Sequence, residues 1–494
     1  MKCLSFFLLF TLHLSSLHSQ YITDHPELIP FYSPTGRPRV AAEWEPALGT
    51  LIAWPLSLPH KLVIELANDN RLYLLVNDRQ SQQDAVNWMM KWGITPDRIK
   101  FIAAPQGIDV SWTRDWGPYA VFVQNGEMKL GDARYQYATP AMGLECRDTL
   151  DFIYRDSLNN IIQTLTDDRI PEFIANALNL EQLNLPFAYT GGNVFVDGQR
   201  TAISSCALTS ENRYTGVTDE KFFRDEHQLL GIENHHIISN FEEHGIQHID
   251  CFMKMLDEDR LLVARPPSDH PAFEQYEGII KNELSRITNA YGRPFEILRL
   301  DTDVYEEDKL AAYTNSLILN KVIYVPLFGI AQDSIALRQW REAMPGYIVK
   351  GFEFNISPEP ALSKACREHY KRIGWNQGDA LHCRTRAIWD PQMLYMSVDK
   401  VRQMVSIGEE IKEGFRVIIK DYSRQGLIHE KVIMHWRKTG DTTWREVQMT
   451  KDALPDMFVV FAPNEPEFDY YFSAESSSGR KETKPRTAPV AYFK

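Results

Sequence analysis

The sequence predicts an α/β protein with a small β-rich unit at its C-terminal end. Between residues 40 and 400, short apolar runs alternate with longer amphipathic stretches, a pattern typical of buried strands alternating with helices. After residue 405, short segments of β-type alternation follow one another between turn residues. The chain has 494 residues, which is enough for two or three domains.

The composition is that of a globular protein with a sizeable core. Hydrophobic residues make up 44% and charged residues 24% of the chain, which excludes disorder as its dominant state. The formal net charge is −13, so general nucleic-acid binding is excluded as a function class. An acidic surface favours cationic ligands weakly and at long range.

The first segment, residues 1–20, is predicted to be a signal peptide. Lys2 precedes an apolar run from Leu4 to Leu17, and small polar residues follow, with cleavage expected near Ser19 or Gln20. A membrane anchor is the alternative, but this run is short for a bilayer span. The mature protein is therefore expected to be secreted or periplasmic, without a membrane span.

The second segment, residues 40–400, is the predicted α/β domain. Amphipathic helices are expected at 81–93 and 273–292, where apolar residues recur at helical spacing. Periods between the elements are unequal, so periodicity alone predicts no repeat. Buried strands are expected at the apolar runs 51–55, 99–105, 261–267 and 323–330.

The third segment, residues 405–494, is predicted to be a small β-sandwich. Alternating patterns occur at 415–422, 431–438 and 442–449, with turn residues between them. The segment has the size of an immunoglobulin-like module. No residue in it indicates chemistry.

The cysteines do not form a disulfide framework. Six are present, and removal of residues 1–20 leaves an odd number, which points to a reactive thiol. Cys383 is the candidate, because it lies in a polar loop and the flanking cations Arg384 and Arg386 would favour its thiolate. Cys146, Cys206 and Cys366 are expected to be inert and buried.

Polar clusters near strand ends supply the other candidate residues. Arg114 and Asp115 stand between two tryptophans at 112–118, which by themselves fit a structural ion pair equally well. His248 and Asp250 would share one face if their segment were a strand. Around them the sequence lacks the histidine-rich spacing of a catalytic zinc site, so no metal or other cofactor is predicted.

Seven motifs in order resemble the agmatine deiminase and bacterial, Porphyromonas-type peptidylarginine deiminase family, within the guanidino-group-modifying enzymes. The resemblance implies a five-bladed α/β-propeller (pentein) catalytic domain, followed in the secreted branch by an immunoglobulin-like β-sandwich. The motifs are EWEP at 43–46, WTRDWGP at 112–118, GGN at 191–193, HIDCFMK at 248–254, YTNSLILN at 313–320, AMPGY at 343–347 and GDALHCRTR at 378–386.

The resemblance also implies the site residues. Cys383 would be the nucleophile and His248 the general acid and base, since a thiolate and an imidazole suit these steps near neutral pH. Asp115 and Asp250 would hold the guanidinium substrate by bidentate hydrogen bonds. Asn315 would lie near the substrate, and Trp112 or Trp116 would cover the face of the cation.

The implied reaction is hydrolytic deimination of a small-molecule or peptide guanidino substrate. Peptidyl-arginine conversion to citrulline is the first expectation, because export and an extra domain favour an external substrate. The alternative is agmatine conversion to N-carbamoylputrescine, a step of putrescine biosynthesis. A non-catalytic secreted binding protein and an amidinotransferase remain as further alternatives.

The chain departs from the peptidylarginine branch in one stretch. That branch carries an Arg-Pro-Arg-Pro sequence that holds the carboxylate of a C-terminal arginine. By distance from Asp115, this chain has Tyr137 and Thr139 there instead. A strong requirement for a free carboxylate is therefore not expected, unless one of the nearby arginines restores the clamp. Those arginines are Arg134, Arg147 and Arg155.

Overall fold

The computed structural model describes residues 34–104, 107–108, 111–135, 140–141, 151–152, 165–242, 246–354, 361–364 and 374–494. The predicted signal peptide, residues 1–20, lies outside the described residues. So do four residues of the departing stretch and, besides Cys3 in that peptide, two further cysteines. These are Tyr137, Thr139, Arg147, Arg155, Cys146 and Cys366.

The segment up to residue 389 is α/β, as predicted. Its helices are α1 (His60–Asp69), α2 (Arg79–Lys91), α3 (Thr113–Trp116), α4 (Ile170–Leu178), α5 (Ala207–Tyr214), α6 (Asp219–Leu230), α7 (Phe273–Ile279) and α8 (Gln332–Ala343). Its strands are β1 (Arg39–Val40), β2 (Ala47–Ala53), β3 (Arg71–Val76), β4 (Ile99–Ala103), β5 (Tyr119–Phe122), β6 (Met128–Arg134), β7 (Pro140–Ala141), β8 (Asp151–Phe152), β9 (Gln182–Ala188), β10 (Val194–Val196), β11 (Thr201–Ser205), β12 (Asn234–Ile238), β13 (Met253–Met255), β14 (Arg260–Arg265), β15 (Glu296–Asp301), β16 (Val304–Glu306), β17 (Lys309–Leu310), β18 (Leu317–Leu319), β19 (Val322–Leu327), β20 (Ile348–Glu353) and β21 (Arg386–Trp389).

Within the described residues, five sheets repeat one arrangement. In each, an antiparallel pair is extended by a parallel strand, and a helix lies in the connection to that strand, as parallel pairing requires. Two further pairs, β7-β8 and β16-β17, form separate two-stranded sheets. The five sheets have the orders β1-β5-β6-β9, β10-β11-β12, β13-β14-β15, β18-β19-β20 and β21-β2-β3-β4.

Local signals explain where the predicted helices begin and end. The helix expected at 81–93 is α2, and Asp78 caps it by accepting a hydrogen bond from the Ser81 amide. The stretch 273–292 is helical only to Leu284, because α7 runs into a single π turn there. Asn289 then accepts hydrogen bonds from two later backbone amides, which favours a turn over continued helix.

The four expected strand runs are β2, β4, β14 and β19. Their buried side chains belong to one apolar cluster that extends through most of the α/β segment. Leu51, Ile102, Leu262 and Ile323 are each at most 1% exposed. The strands are therefore fixed by a packed core, which also fixes the positions of the polar residues that follow the strand ends.

The C-terminal segment consists of two antiparallel sheets. Residues of both sheets share an apolar cluster separate from the first, to which Val417 and Met434 contribute from opposite sheets. The sheet orders are β22-β24-β28-β27, with β23 beside β24, and β26-β25-β29-β30. The strands are β22 (Leu394–Val398), β23 (Gln403–Ile407), β24 (Glu410–Asp421), β25 (Ile433–Lys438), β26 (Arg445–Gln448), β27 (Thr450–Lys451), β28 (Met457–Phe461), β29 (Phe468–Glu475) and β30 (Lys481–Lys484).

A buried ion pair joins the two segments. Lys484 in β30 donates to Glu258, with its Nζ 2.6 Å from Oε1. Both side chains are less than a tenth exposed. No described helix is both long and apolar enough to cross a bilayer.

Candidate active site

Cys383 lies in a loop immediately before β21 and is fully buried. Its backbone oxygen accepts a hydrogen bond from the Arg114 amide at 3.0 Å, which ties this loop to α3. Strand β21 in turn pairs with β2. The motif at 378–386 and the motif at 112–118 are therefore held against each other.

The Cys383 thiol contacts an amide and a carboxylate. Asn315 Nδ2 lies 3.3 Å from Sγ, and Asp250 Oδ2 lies 3.7 Å from it. Asn315 also accepts a hydrogen bond from the His382 amide at 2.8 Å, so its side chain is held by the loop that carries the thiol. The structure therefore brings Asn315, Asp250 and Cys383 together.

Gly192 is the point where the other predicted residues meet. Its amide donates to Asp115 Oδ1 at 2.9 Å, and its carbonyl accepts from the Asp250 amide at 3.2 Å. A Cβ atom added at Gly192 would lie 2.8 Å from Asp115 Oδ1, 2.9 Å from His248 Nδ1 and 3.1 Å from Asp250 Oδ2. The two carboxylates and the imidazole therefore surround one small volume that only glycine leaves open.

The segment of His248 and Asp250 is not a strand. Residues Ile249–Cys251 form a 3-10 turn that begins after His248, and the next strand starts at Met253. The condition under which period two would place both side chains on one strand face is therefore not met. The turn still directs both side chains toward Gly192, and His248 Nδ1 lies 3.7 Å from Asp115 Oδ1.

A hydrogen-bonded chain behind the thiol was missed from the sequence. His382 Nδ1 lies 2.7 Å from Asp250 Oδ2, and its Nε2 lies 2.6 Å from Glu43 Oε2. Burial and the nearby Arg114 lower the pKa of His382. Burial would raise the pKa of Asp250, but the hydrogen bond and charge of His382 hold it below its usual value. Glu43 and His382 both belong to motifs quoted above, so their place in those motifs could have identified them as site residues from the sequence.

The carboxyl group of Asp115 titrates differently from that of Asp250. Burial, helped by the negative charge of Asp250, raises the pKa of Asp115 to about 6, against the opposing effect of His248. The site therefore holds one carboxylate that stays ionised and one that gains a proton in mild acid.

The thiol is not activated by the flanking arginines, contrary to the prediction. Arg384 donates to Asp379 at 2.8 Å, and Arg386 lies over the ring of Tyr119 at 4.3 Å. A hydrogen bond with Cys251 would lower the pKa of Cys383, but burial and the Asp250 charge raise it above its usual value. The two arginines belong to the packing of the loop instead.

The two candidate tryptophans differ in exposure. Trp116 is 2% exposed and packs in the apolar core. Trp112 is half-buried at the start of α3 and retains accessible surface. Trp112 thus retains exposed surface that a ligand could reach, whereas Trp116 lies in the core.

Two other cysteines differ in state: Cys206 forms a disulfide, and Cys251 is a free thiol close to Cys383. Cys206 is buried, as expected, but it is in a disulfide, which was not expected. Cys251 is a buried free thiol, and its Sγ, Cys383 Sγ and an Asp250 oxygen lie within 4.8 Å of one another. Two thiols and a carboxylate could hold a soft divalent ion at this position.

The sequence resembles that of curated deiminases over about half its length. A protein named "Putative agmatine deiminase" from Vibrio parahaemolyticus is 25% identical over 268 residues, 48% of this chain and 68% of that protein. A protein of the same name from Lactococcus lactis is 24% identical over 269 residues, 49% of this chain and 69% of that protein.

Solved structures share the α/β fold of this chain. Agmatine deiminase of Enterococcus faecalis superposes with a TM-score of 0.54 at 18% identity, covering 74% of this chain and 99% of the other. A structure titled as the putative arginine deiminase of Porphyromonas gingivalis gives 0.53 at 18% identity, covering 72% and 99%. The chain thus has the α/β fold of these deiminases over about three quarters of its length.

A family model confirms the relationship that the seven motifs predicted. The model of Porphyromonas-type peptidyl-arginine deiminases matches residues 39–357, more than half of the chain. This range contains the motifs that carry Asp115, His248, Asp250 and Asn315. The chain belongs to the Porphyromonas-type peptidyl-arginine deiminase family.

Proposed function

We propose that this protein hydrolyses the guanidinium group of its substrate to a ureido group, with Cys383 as the nucleophile. As a member of this family it is a hydrolase of carbon–nitrogen bonds. The observation that carries the proposal is the position of the Cys383 thiol, 3.7 Å from the Asp250 carboxylate that also faces Gly192. Asp115 and His248 face the same glycine.

The two carboxylates give the site its preference for a planar cation. A guanidinium offers paired N–H donors, and each carboxylate can accept two of them. Asp115 and Asp250 are both buried, so these hydrogen bonds form away from water and are strengthened. Trp112, at the start of the helix that carries Asp115, would supply an aromatic face to the cation.

Substrate binding also prepares the thiol. In the free enzyme, burial and the Asp250 charge keep the pKa of Cys383 raised. A guanidinium between the carboxylates offsets their negative charge and lowers the pKa of the thiol. The thiolate therefore forms when its target is in place.

The reaction then proceeds in two displacements. Sγ of Cys383 bonds to the guanidinium carbon, and the carbon–nitrogen bond breaks when His248 protonates the departing ammonia. An amidino-thioether remains on the enzyme. His248 then takes a proton from water, the new carbon–oxygen bond forms, and the carbon–sulfur bond breaks to release the ureido product and the thiol.

Agmatine is the first candidate substrate. Two curated relatives carry that name. Glu211 and Glu242 interact electrostatically with His248, and burial raises the pKa of each to about 7. Such carboxyl groups favour an ammonium group nearby, which agmatine carries at its other end.

Peptidyl-arginine is the second candidate, supported by the name of the matching family model. We assign residues 1–20 to a signal peptide and 405–494 to an immunoglobulin-like sandwich, which suits an external substrate. The disulfide of Cys206 is consistent with an oxidising compartment and hence with a secreted or periplasmic protein. The five similar sheets would be the blades of a propeller over residues 40–400.

The deciding experiment measures ureido product from agmatine, free arginine, a peptide ending in arginine and the same peptide as its amide. Turnover of agmatine above both peptides supports the first candidate, and the reverse supports the second. Between the two peptides we expect rates within about tenfold, or about 1.4 kcal/mol. Absence of ureido product from all four would contradict the proposed function and favour a binding protein.

A further inference from the structure

The carboxylate of Asp250 has one short side-chain hydrogen bond, and its partner is the ring of His382. His382 Nδ1 lies 2.7 Å from Asp250 Oδ2. Among the residues that the structure describes, the other side-chain hydrogen bonds of this carboxylate come from sulfur. Cys251 Sγ lies 3.5 Å from Oδ1, and Cys383 Sγ lies 3.7 Å from Oδ2. Thiols are weak donors, so the direction of the Asp250 carboxylate depends mainly on His382.

The ring of His382 is itself held at both ends. Its Nε2 lies 2.6 Å from Glu43 Oε2, so each ring nitrogen has a carboxylate oxygen within hydrogen-bonding distance. A half-turn of the ring about its Cβ–Cγ bond would break both contacts at once. The ring therefore keeps one orientation, and in that orientation Nδ1 points at Asp250.

Glu43 is in turn fixed by several other parts of the site. Its Oε1 accepts a hydrogen bond from the Ile318 amide at 2.9 Å and lies 3.0 Å from Lys254 Nζ. Its Oε2 lies 3.6 Å from Arg114 Nη1, besides its contact with His382. These four partners belong to the motifs at 112–118, 248–254, 313–320 and 378–386. The motifs that carry the proposed site residues therefore also determine where Glu43 lies.

We propose that Glu43 and His382 are positioning residues of this site, which act through Asp250. They hold its carboxylate so that Oδ2 faces both the Cys383 thiol and the small volume beside Gly192. A planar cation bound by that carboxylate is then presented to the sulfur atom. This inference rests on the proposed function, since it takes the Asp250 carboxylate as a ligand of the guanidinium. The role requires no contact between either positioning residue and the substrate.

The test compares two alkylating reagents of the same shape. Chloroacetamidine carries a planar cation, whereas chloroacetamide is its neutral counterpart. With either reagent a carbon–sulfur bond forms at Cys383, and chloride and the thiol proton leave. A change in the position or reactivity of the thiol affects both labelling rates, so their ratio, divided by the same ratio for free cysteine, measures how well the site holds the cation. Mass spectrometry of the labelled peptide gives this cation preference without turnover.

Substitutions of His382 should change the cation preference according to the donor that they keep. His382→Leu should lower it about tenfold or more, because a hydrogen bond to a buried carboxylate is lost. His382→Asn should keep most of it, because its amide nitrogen can take the place of Nδ1 and donate to Asp250. An unchanged preference in His382→Leu, or equal losses in the two variants, would overturn the proposal.

Two further variants keep the test decisive if His382→Leu does not fold. His382→Gln places its amide nitrogen near the position of Nε2, toward Glu43, and should lose the preference that His382→Asn keeps. Glu43→Gln should lower the preference by a smaller factor than His382→Gln, because the contact between His382 and Asp250 remains. Equal preferences in His382→Gln and His382→Asn would overturn the role of His382, and an unchanged preference in Glu43→Gln would overturn that of Glu43.

His235→Leu is the matched control for the loss of a buried histidine. His235 Nδ1 lies 2.7 Å from Glu226 Oε1, and its Nε2 lies 2.9 Å from Ser204 Oγ. Like the side chain of His382, that of His235 is 1% exposed, but it belongs to β12, outside the site. This variant should lose stability and keep the cation preference. A loss as large as that in His382→Leu would indicate a general effect of destabilisation and would overturn the proposal.

The unmodified protein separates this inference from the proposed function. A cation preference no greater than that of free cysteine would show that the site does not bind a planar cation, which would overturn the proposed function and the positioning role together. A strong preference that stays the same in all the His382 and Glu43 variants would overturn the positioning role alone and leave the proposed function in place.

Discussion

Asp250 and His382 share a hydrogen bond of 2.7 Å through the same carboxylate oxygen that lies 3.7 Å from the Cys383 thiol. The side chain of Asp250, the proposed ligand of the guanidinium, is therefore held by His382, the residue before the proposed nucleophile. A substitution at either position alters both the charge that binds a cation and the place of the thiol.

Cys383→Ala should abolish turnover and leave the fold intact, because the nucleophile is lost while the loop keeps its backbone hydrogen bonds. A haloacetamidine reagent should label Cys383 and spare Cys251, whose pKa is raised even further by its hydrogen bond to Cys383 and by burial. Mass spectrometry of the labelled protein checks this. Labelling spread evenly over the cysteines would argue against Cys383 as the nucleophile.

Asp115→Asn and Asp250→Asn should each lower kcat/KM by about 10²–10⁴-fold. A charged hydrogen bond is worth roughly 1.5–3 kcal/mol, and each carboxylate can make two to the guanidinium. Asp84→Asn is the control, because Asp84 is exposed on α2, and its kinetics should match the unmodified protein. Unchanged kinetics in either site variant would remove that residue from substrate binding.

As the pH is lowered, kcat/KM should decrease with an apparent pKa between about 6 and 7. Asp115, with a pKa raised to about 6, must be ionised to bind a cation, so activity is lost as the pH drops through that value. With agmatine as substrate, protonation of Glu211, whose pKa is about 7, should contribute to the same decrease in kcat/KM. The variant Glu211→Gln should therefore move this decrease to lower pH. A profile flat down to about pH 5 would be inconsistent with an essential Asp115.

Activity should survive strong chelators, and added zinc should inhibit. The reaction proposed above needs no metal, whereas Cys383, Cys251 and Asp250 can bind zinc at the expense of the nucleophile. Addition of EDTA should reverse the inhibition in a steady-state assay. Loss of activity with EDTA alone, restored by zinc or manganese, would identify a metallohydrolase instead.

Lys484→Met should destabilise the protein by about 3–5 kcal/mol, because it leaves the buried carboxylate of Glu258 unpaired. Urea unfolding with separate reporters for the two segments measures the change. Lys412→Met is the matched control, since its partner Glu410 is exposed and such pairs contribute little. Equal midpoints for the two variants would show that the buried pair contributes nothing measurable.

Much of the site could be predicted because its residues stand in ordered motifs. Asp115, His248, Asp250 and Cys383 were found that way, and the structure gathers them around Gly192 and Asn315. Their contacts depend on strand pairings between distant segments, which no local pattern encodes.

The errors have local causes. The alternation at His248 and Asp250 resembles a strand, yet the segment between them forms a 3-10 turn that aims both side chains at one glycine. The arginines beside Cys383 were expected to lower its pKa, but Arg384 is committed to Asp379. Charged residues that flank a thiol in the sequence need not lie near its sulfur atom, because the packing of the loop decides which charged groups surround it.

The pairing of β2 with β21 has a consequence for how the enzyme becomes active. Leu51 lies opposite Arg386, so the first large sheet of the α/β segment is completed by its last strand. Closing a loop of that length is entropically costly and slow, so this step follows the folding of the local sheets. Because Cys383 directly precedes β21, the nucleophile arrives only with that final strand. We therefore expect the proposed nucleophile to take its place only once β21 has paired with β2, so that catalysis would report the closure of this sheet.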